Sequence, residues 1–141
     1  RLDALQAAVL DVKLEKLEEW QDERRQIASR YRELLDHPEI ELPVVDPENE
    51  HTYHQFTVRV GPNRDAVRDY LDEHGVGSKV FYPLPLHLQP CFDNLGYGRG
   101  DLPESEKAAD EVLSLPIFPG LREDEIQRVA EMLTDAVEAV Q

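Results

Sequence analysis

Cysteine occurs once in these 141 residues, at Cys91, and lysine only four times. A lone cysteine excludes an internal disulfide and any site built from several thiolates, and it fits a reducing, cytoplasmic setting. No apolar run approaches the ~20 residues needed to span a bilayer. The opening stretch RLDALQAAVLDVKLEKLEEW carries charges throughout and has no secretory pattern, so no membrane role is expected. Basic residues number 15 against 30 acidic, a formal net charge of −15, which argues against a broad basic face for nucleic acid. Arginine outnumbers lysine eleven to four; an acidic, lysine-poor surface suits a salt-adapted source and an ordinary soluble protein alike.

With 40% hydrophobic and 32% charged residues, the composition is that of a globular protein, and the length suits one domain over 1–141. The chain opens at Arg1, not Met, already inside a helical pattern and without a cap, which predicts the back half of something larger. Residues 3–36 read as one long amphipathic helix with Leu10, Leu14, Leu17, Ile27, Tyr31 and Leu34 at helical spacing, ended by Pro38. The heptad match is poor, because Arg24 sits where an apolar residue belongs, so a spine is favoured over a coiled coil.

Short strands follow at Ile40–Pro43, Thr52–Val60 and within GSKVFYP. In the second, His54, Phe56, Val58 and Val60 share one face. A helix over about 63–74 turns Ala66, Val67, Tyr70 and Leu71 inward and stops at Gly75. Another helix begins at Pro103 with Asp101 as its cap, LSLPIFP is extended, and a last helix over about 122–140 carries Ile126, Val129, Ala130, Leu133, Val137 and Val140 on one face. The fold class is α+β: a long N-terminal helix and a mainly antiparallel sheet of three to four strands covered by helices.

Little chemistry is written plainly. His51 and His54 stand three apart at a loop–strand junction, where they face opposite ways, and no cluster at metal spacing joins them. Cys91 lies four residues from His87, but next to Phe92 it reads as a small buried apolar residue. GYGRG lacks the Lys-Ser/Thr of a phosphate loop, and the acidic runs EKLEEW and REDE read as solvated helix faces. His87 stands out. Pro83 and Pro85 stiffen its approach, and residues 84–102 form a loop long enough to close over a ligand. These features alone lead no further than a soluble α+β domain with one well-aimed polar loop.

Several stretches together resemble one family. RLDALQAAVLDVKL, HTYHQFTVRV, VFYPLPLHLQPCF, LPESEKAADEVLSLPIFPGL and EIQRVAEML occur in the order seen in nucleotide-sugar aminotransferases of the DegT/StrS type, and the likeness covers essentially the whole chain. The resemblance implies the small C-terminal domain of a fold-type I aminotransferase that uses pyridoxal phosphate. The large cofactor domain is then absent, and with it the Schiff-base lysine and the acid that pairs with the pyridine nitrogen. Lys13, Lys16, Lys79 and Lys107 fall outside the family's lysine motif, so the chain alone is expected to be inactive and to bind no cofactor. The intact enzyme would be a homodimer that passes an amino group from glutamate to a keto sugar on a nucleotide, in polysaccharide or antibiotic sugar biosynthesis.

By the same resemblance, Arg1 would clamp the cofactor phosphate of the neighbouring subunit. His87 matches a loop histidine near the sugar-nucleotide site, where it would donate to a phosphate or hydroxyl, and Tyr82 and His54 would line the same side. Tyr53 and Gln55 are left as strand surface. Phe81 stands where the family more often has a second tyrosine and is expected to be a buried ring. The competing reading is a non-catalytic binding, regulatory or dimerisation module that kept the fold.

Overall fold

A computed structural model describes residues 2–140. Its elements in chain order are α1 (Ala4–Leu14), α2 (Leu17–Leu34), β1 (Phe56–Arg59), α3 (Arg64–Glu73), α4 (Pro103–Glu111), β2 (Val112–Leu115) and α5 (Glu123–Ala139). Two 3-10 turns, Leu86–Leu88 and Pro90–Leu95, lie in the long loop.

The core forms where the apolar periodicities meet. Tyr31 from α2, Phe56 and Val58 from β1, Val67 and Leu71 from α3, Leu113 from β2 and Leu133 from α5 are all fully buried. Each such side chain contributes roughly 1.5–3 kcal/mol. The Tyr31 and Phe56 rings lie 5.1 Å apart, and the Tyr31 hydroxyl donates to the Pro116 carbonyl at 2.8 Å, so the one polar atom of that ring is satisfied. Burial pushes the Tyr31 phenol well above its usual range.

β1 and β2 pair antiparallel, with Phe56 opposite Leu115 and Val58 opposite Leu113 on the core side. On the other face the Thr57 and Ser114 hydroxyls share a hydrogen bond of 2.8 Å. A single-residue bridge extends each outer edge, Glu41 to Arg59 and Lys79 to Ser114. The four segments read from the sequence thus line up in one small antiparallel sheet, but only two persist as strands.

Four local expectations need correction. The first helix is two helices: after α1 the Lys16 N–H bonds to Lys13 O at 3.0 Å, tightening the last turn to 3-10 spacing before α2 begins. α1 is also capped, since the Asp3 carboxylate accepts from Leu5 N at 2.9 Å. Asp101 does not cap α4, because its carboxylate turns back to Gly98 N at 2.7 Å; Leu102 holds the cap position and Pro103 the first turn. β1 starts at Phe56, four residues late, because Tyr53 at φ 47° breaks the extended run.

The end of α3 is as expected. Gly75 takes φ 75°, a value that carries little penalty only without a Cβ. Val67 and Leu71 are buried as anticipated, whereas Ala66 faces solvent. Among the described residues, no helix is long and apolar enough to cross a membrane.

α1 is unlike the rest. It buries no residue, and Leu5, Val9, Leu10, Val12 and Leu14 are each at least half exposed. By helical spacing Leu2, Leu5, Val9 and Val12 form one stripe, and Leu10, Leu14 and Leu17 an adjoining one.

Candidate functional site

Pro85 is extended, at φ −56° and ψ 146°, and starts the 3-10 turn Leu86–Leu88, closed by Leu88 N–H to Pro85 O at 3.0 Å. That turn rolls His87 inward. The residue is 8% exposed, whereas its neighbours Tyr82 and Leu86 stay open at 73% and 68%. The rigid lead-in therefore runs into a turn that buries the imidazole.

His87 meets Glu106, in the first turn of α4, with 3.0 Å between Nε2 and Oε1. The same carboxylate oxygen accepts from Gly100 N at 2.7 Å, and Arg99 Nη1 approaches the other oxygen at 3.9 Å. The Gly100 backbone bond, reinforced by His87, holds the Glu106 carboxyl below its ordinary 4.5 despite the opposing cost of burial. Because the folded value is depressed, the stabilisation from this carboxylate is complete at neutral pH and is lost as pH falls through and below the usual carboxylate range. The parent protein is therefore expected to melt above Glu106→Gln at neutral pH, with the gap closing on acidification as the parent's carboxyl takes up its proton. A gap that stays constant from neutral pH to pH ~3 would contradict the assignment.

Tyr82 is exposed, its ring edge-on to Phe81 at 5.7 Å, and Phe81 is itself 41% exposed and not a buried ring. His54 is exposed beside the groove between α1 and α2, lined also by Leu10, Leu14, Leu17 and Trp20. Among the described residues no hydrogen bond links any two of His54, Tyr82 and His87, while Arg1 lies outside them. Cys91 is exposed rather than buried. His51 is taken up locally, its Nδ1 accepting from Tyr53 N at 2.8 Å.

Arg24, anomalous in the helix pattern, proves to be a hub. Its Nη1 donates to the carbonyls of Tyr53, His54 and Ile117 at 3.1, 3.3 and 2.8 Å, pinning the segment before β1 and the one after β2 to α2. A charge at an apolar position was its sequence signal. Glu106 had none, being one of several acids in PESEKAADE.

All four lysines are exposed. Lys16 pairs with Glu19 at 2.8 Å, which raises its pKa, the reverse of what a nucleophilic amine needs. No group of three or more His, Cys, Asp or Glu side chains converges as for a metal ion among the described residues.

Residues 1–134 match the model of the DegT/DnrJ/EryC1/StrS aminotransferase family. The chain belongs to that family. Family members of known sequence align with nearly all of it. A pleiotropic regulatory protein of Geobacillus stearothermophilus is 47% identical over 96% of this chain, and the dTDP-3-amino-3,4,6-trideoxy-alpha-D-glucose transaminase of Streptomyces venezuelae is 39% identical over 99%. This chain spans 37% of the length of each. The crystal structure of S. venezuelae DesV in complex with a ketimine intermediate superposes with a TM-score of 0.93 at 39% identity, over 98% of this chain and 37% of that one. NtdA of Bacillus subtilis, solved with bound cofactor PMP, gives 0.85 at 29%, over 98% and 33%. The α+β fold with its small antiparallel sheet is thus that of the family's aminotransferases.

Proposed function

We propose that this chain is the small C-terminal domain of a pyridoxal-phosphate-dependent aminotransferase that transfers an amino group from glutamate to a keto sugar carried on a nucleotide. The observation that carries the reading is the whole-chain likeness to the S. venezuelae transaminase, 39% identity over 99% of this chain. The lysines bear on the division of labour. The cofactor's chemistry needs a desolvated amine, and none of the four here is sheltered, so these residues do not make a cofactor site by themselves. The Schiff-base lysine and the bulk of the cofactor pocket then belong to the other part of the polypeptide, which in the relatives accounts for the remaining length.

In this reading the chain supplies a wall. His87, with Tyr82 and His54, faces the sugar nucleotide, Arg1 reaches the cofactor phosphate of a neighbouring subunit in a homodimer, and the enzyme works in the cytoplasm. α1 docks against the rest of the enzyme, because a helix apolar over two stripes belongs between packed surfaces.

The test is glutamate-dependent amination of a keto nucleotide-sugar by the intact protein, with the 141-residue chain as control. Turnover is expected from the intact protein and none from the chain alone. Arg1→Ala should weaken cofactor retention, and His87→Ala should lower kcat/KM by roughly 10²-fold. Turnover by the isolated chain would refute the division of labour, and unchanged cofactor affinity and turnover in both variants would refute the site assignments. A second reading, a regulatory module, is favoured by the 47% identity to the Geobacillus pleiotropic regulatory protein. An intact protein that binds sugar nucleotide without turnover would support it.

A further inference from the structure

The geometry points to Glu106 as the positioning residue for His87: one carboxylate oxygen holds the imidazole by Nε2 and the far end of its loop by Gly100, and leaves Nδ1 as the ring's only acceptor. Both bonds reach Oε1, at 3.0 Å from His87 Nε2 and 2.7 Å from Gly100 N. The side chains of His87 and Glu106 are only 5% and 11% exposed, so the pair sits apart from bulk water. An ionised carboxylate has no proton to give, so the bond to His87 requires the proton on Nε2. A neutral imidazole protonated there carries a bare lone pair at Nδ1.

Nδ1 has no protein partner among the described residues, and it is not among the fully buried unpartnered atoms, so it retains a path to solvent or ligand. What it can receive is a hydrogen-bond donor, such as a sugar hydroxyl or an amide N–H. In its neutral Nε2–H form His87 therefore accepts from a sugar hydroxyl or an amide N–H.

The second bond makes the carboxylate a clip. The intervening residues 88–99 include Phe92, Leu95 and Tyr97, all exposed, and no described strand or α-helix holds them. Their ends meet at Glu106, which removes most of the freedom of the loop between. Ligand contact at Nδ1 rests on the aminotransferase reading; the tautomer and the clip do not.

The experiment labels the intact protein with 15N at the histidine rings, assigns the His87 resonance from the spectrum of His87→Gln, and reads the tautomer at mildly alkaline pH. The unaltered protein should show the Nε2–H form. Glu106→Gln keeps an acceptor oxygen in place and should retain that tautomer and the loop's resistance to protease. Glu106→Ala should populate both tautomers and raise cleavage within 88–99 roughly tenfold. An Nδ1–H signature in the unaltered protein would overturn the proposal, as would an alanine variant indistinguishable from it. Should the alanine variant fail to fold, the tautomer of the unaltered protein and of Glu106→Gln decides. An intact protein without aminotransferase activity would sink the functional reading, while the tautomer and the loop's protease resistance would still test the clip.

Discussion

Glutamate at both Leu10 and Leu14 is expected to abolish turnover by the intact protein while shifting the melting temperature of the 141-residue chain by no more than about 2 °C. The asymmetry follows from where α1 stands. Nothing in it is buried within this chain, and Leu10 and Leu14 are 51% and 63% exposed, so their replacement disturbs no buried core contact here. Against a packed partner surface the same carboxylates would be desolvated without a counter-charge, at about 3 kcal/mol or more each. Gel filtration and turnover of the intact variant, with calorimetry of the chain, check both halves. A variant that assembles and turns over like its parent would remove the docking role. A chain that melts far lower would mean that α1 packs onto its own body. Loss of self-association by the chain alone would instead favour the dimerisation module.

What was legible in the sequence is what repeated. α5 shows its inward face in Ile126, Val129, Ala130, Leu133, Val137 and Val140; the first five are buried and Val140 is partly so. Phe56, Val58 and Val60 alternate into the core, as a half-buried strand requires. The misses are single events with no period. The bend at Glu15 and Lys16 has neither glycine nor proline to announce it, and the choice of Asp101 between capping a helix and closing a turn on Gly98 depends on three-dimensional placement.

The site was half readable. The prolines rightly marked His87 as fixed, but its direction depended on a partner 19 residues away that looks like any solvated acid. Cys91 was expected inside from its chemistry and Phe81 from the family pattern, yet both stay exposed, Cys91 in the long surface loop and Phe81 just before it. Arg24 announced itself as a charge in an apolar stripe, and three carbonyls account for it.

Arg64→Met is expected to lower the unfolding free energy by about 3 kcal/mol and, through α4, to loosen the His87 loop. Arg64 opens α3, where a cation opposes the helix dipole, so its presence calls for a tertiary cause. It is 5% exposed, and its Nη1 donates to Ala109 O at 3.1 Å and Val112 O at 2.8 Å, while Nε holds Asp65 at 3.0 Å. One guanidinium thus satisfies a carbonyl at the end of α4 and another at the start of β2, and places positive charge at the negative end of α4. Methionine keeps most of the stem's volume and removes every donor, leaving both carbonyls unpaired beside the core. Lysine keeps a charge with three donors, but its stem ends one atom short of Nη1 and has no counterpart of the Nε bond to Asp65, so it should recover roughly half of the loss. Because Ala109 stands one turn after Glu106, fraying here should reach the clip, so protease cleavage within 88–99 should rise in the methionine variant and less in the lysine one. Urea unfolding measures the first effect and proteolysis the second. A methionine variant within about 1 kcal/mol of the parent would show that the junction is held by packing alone.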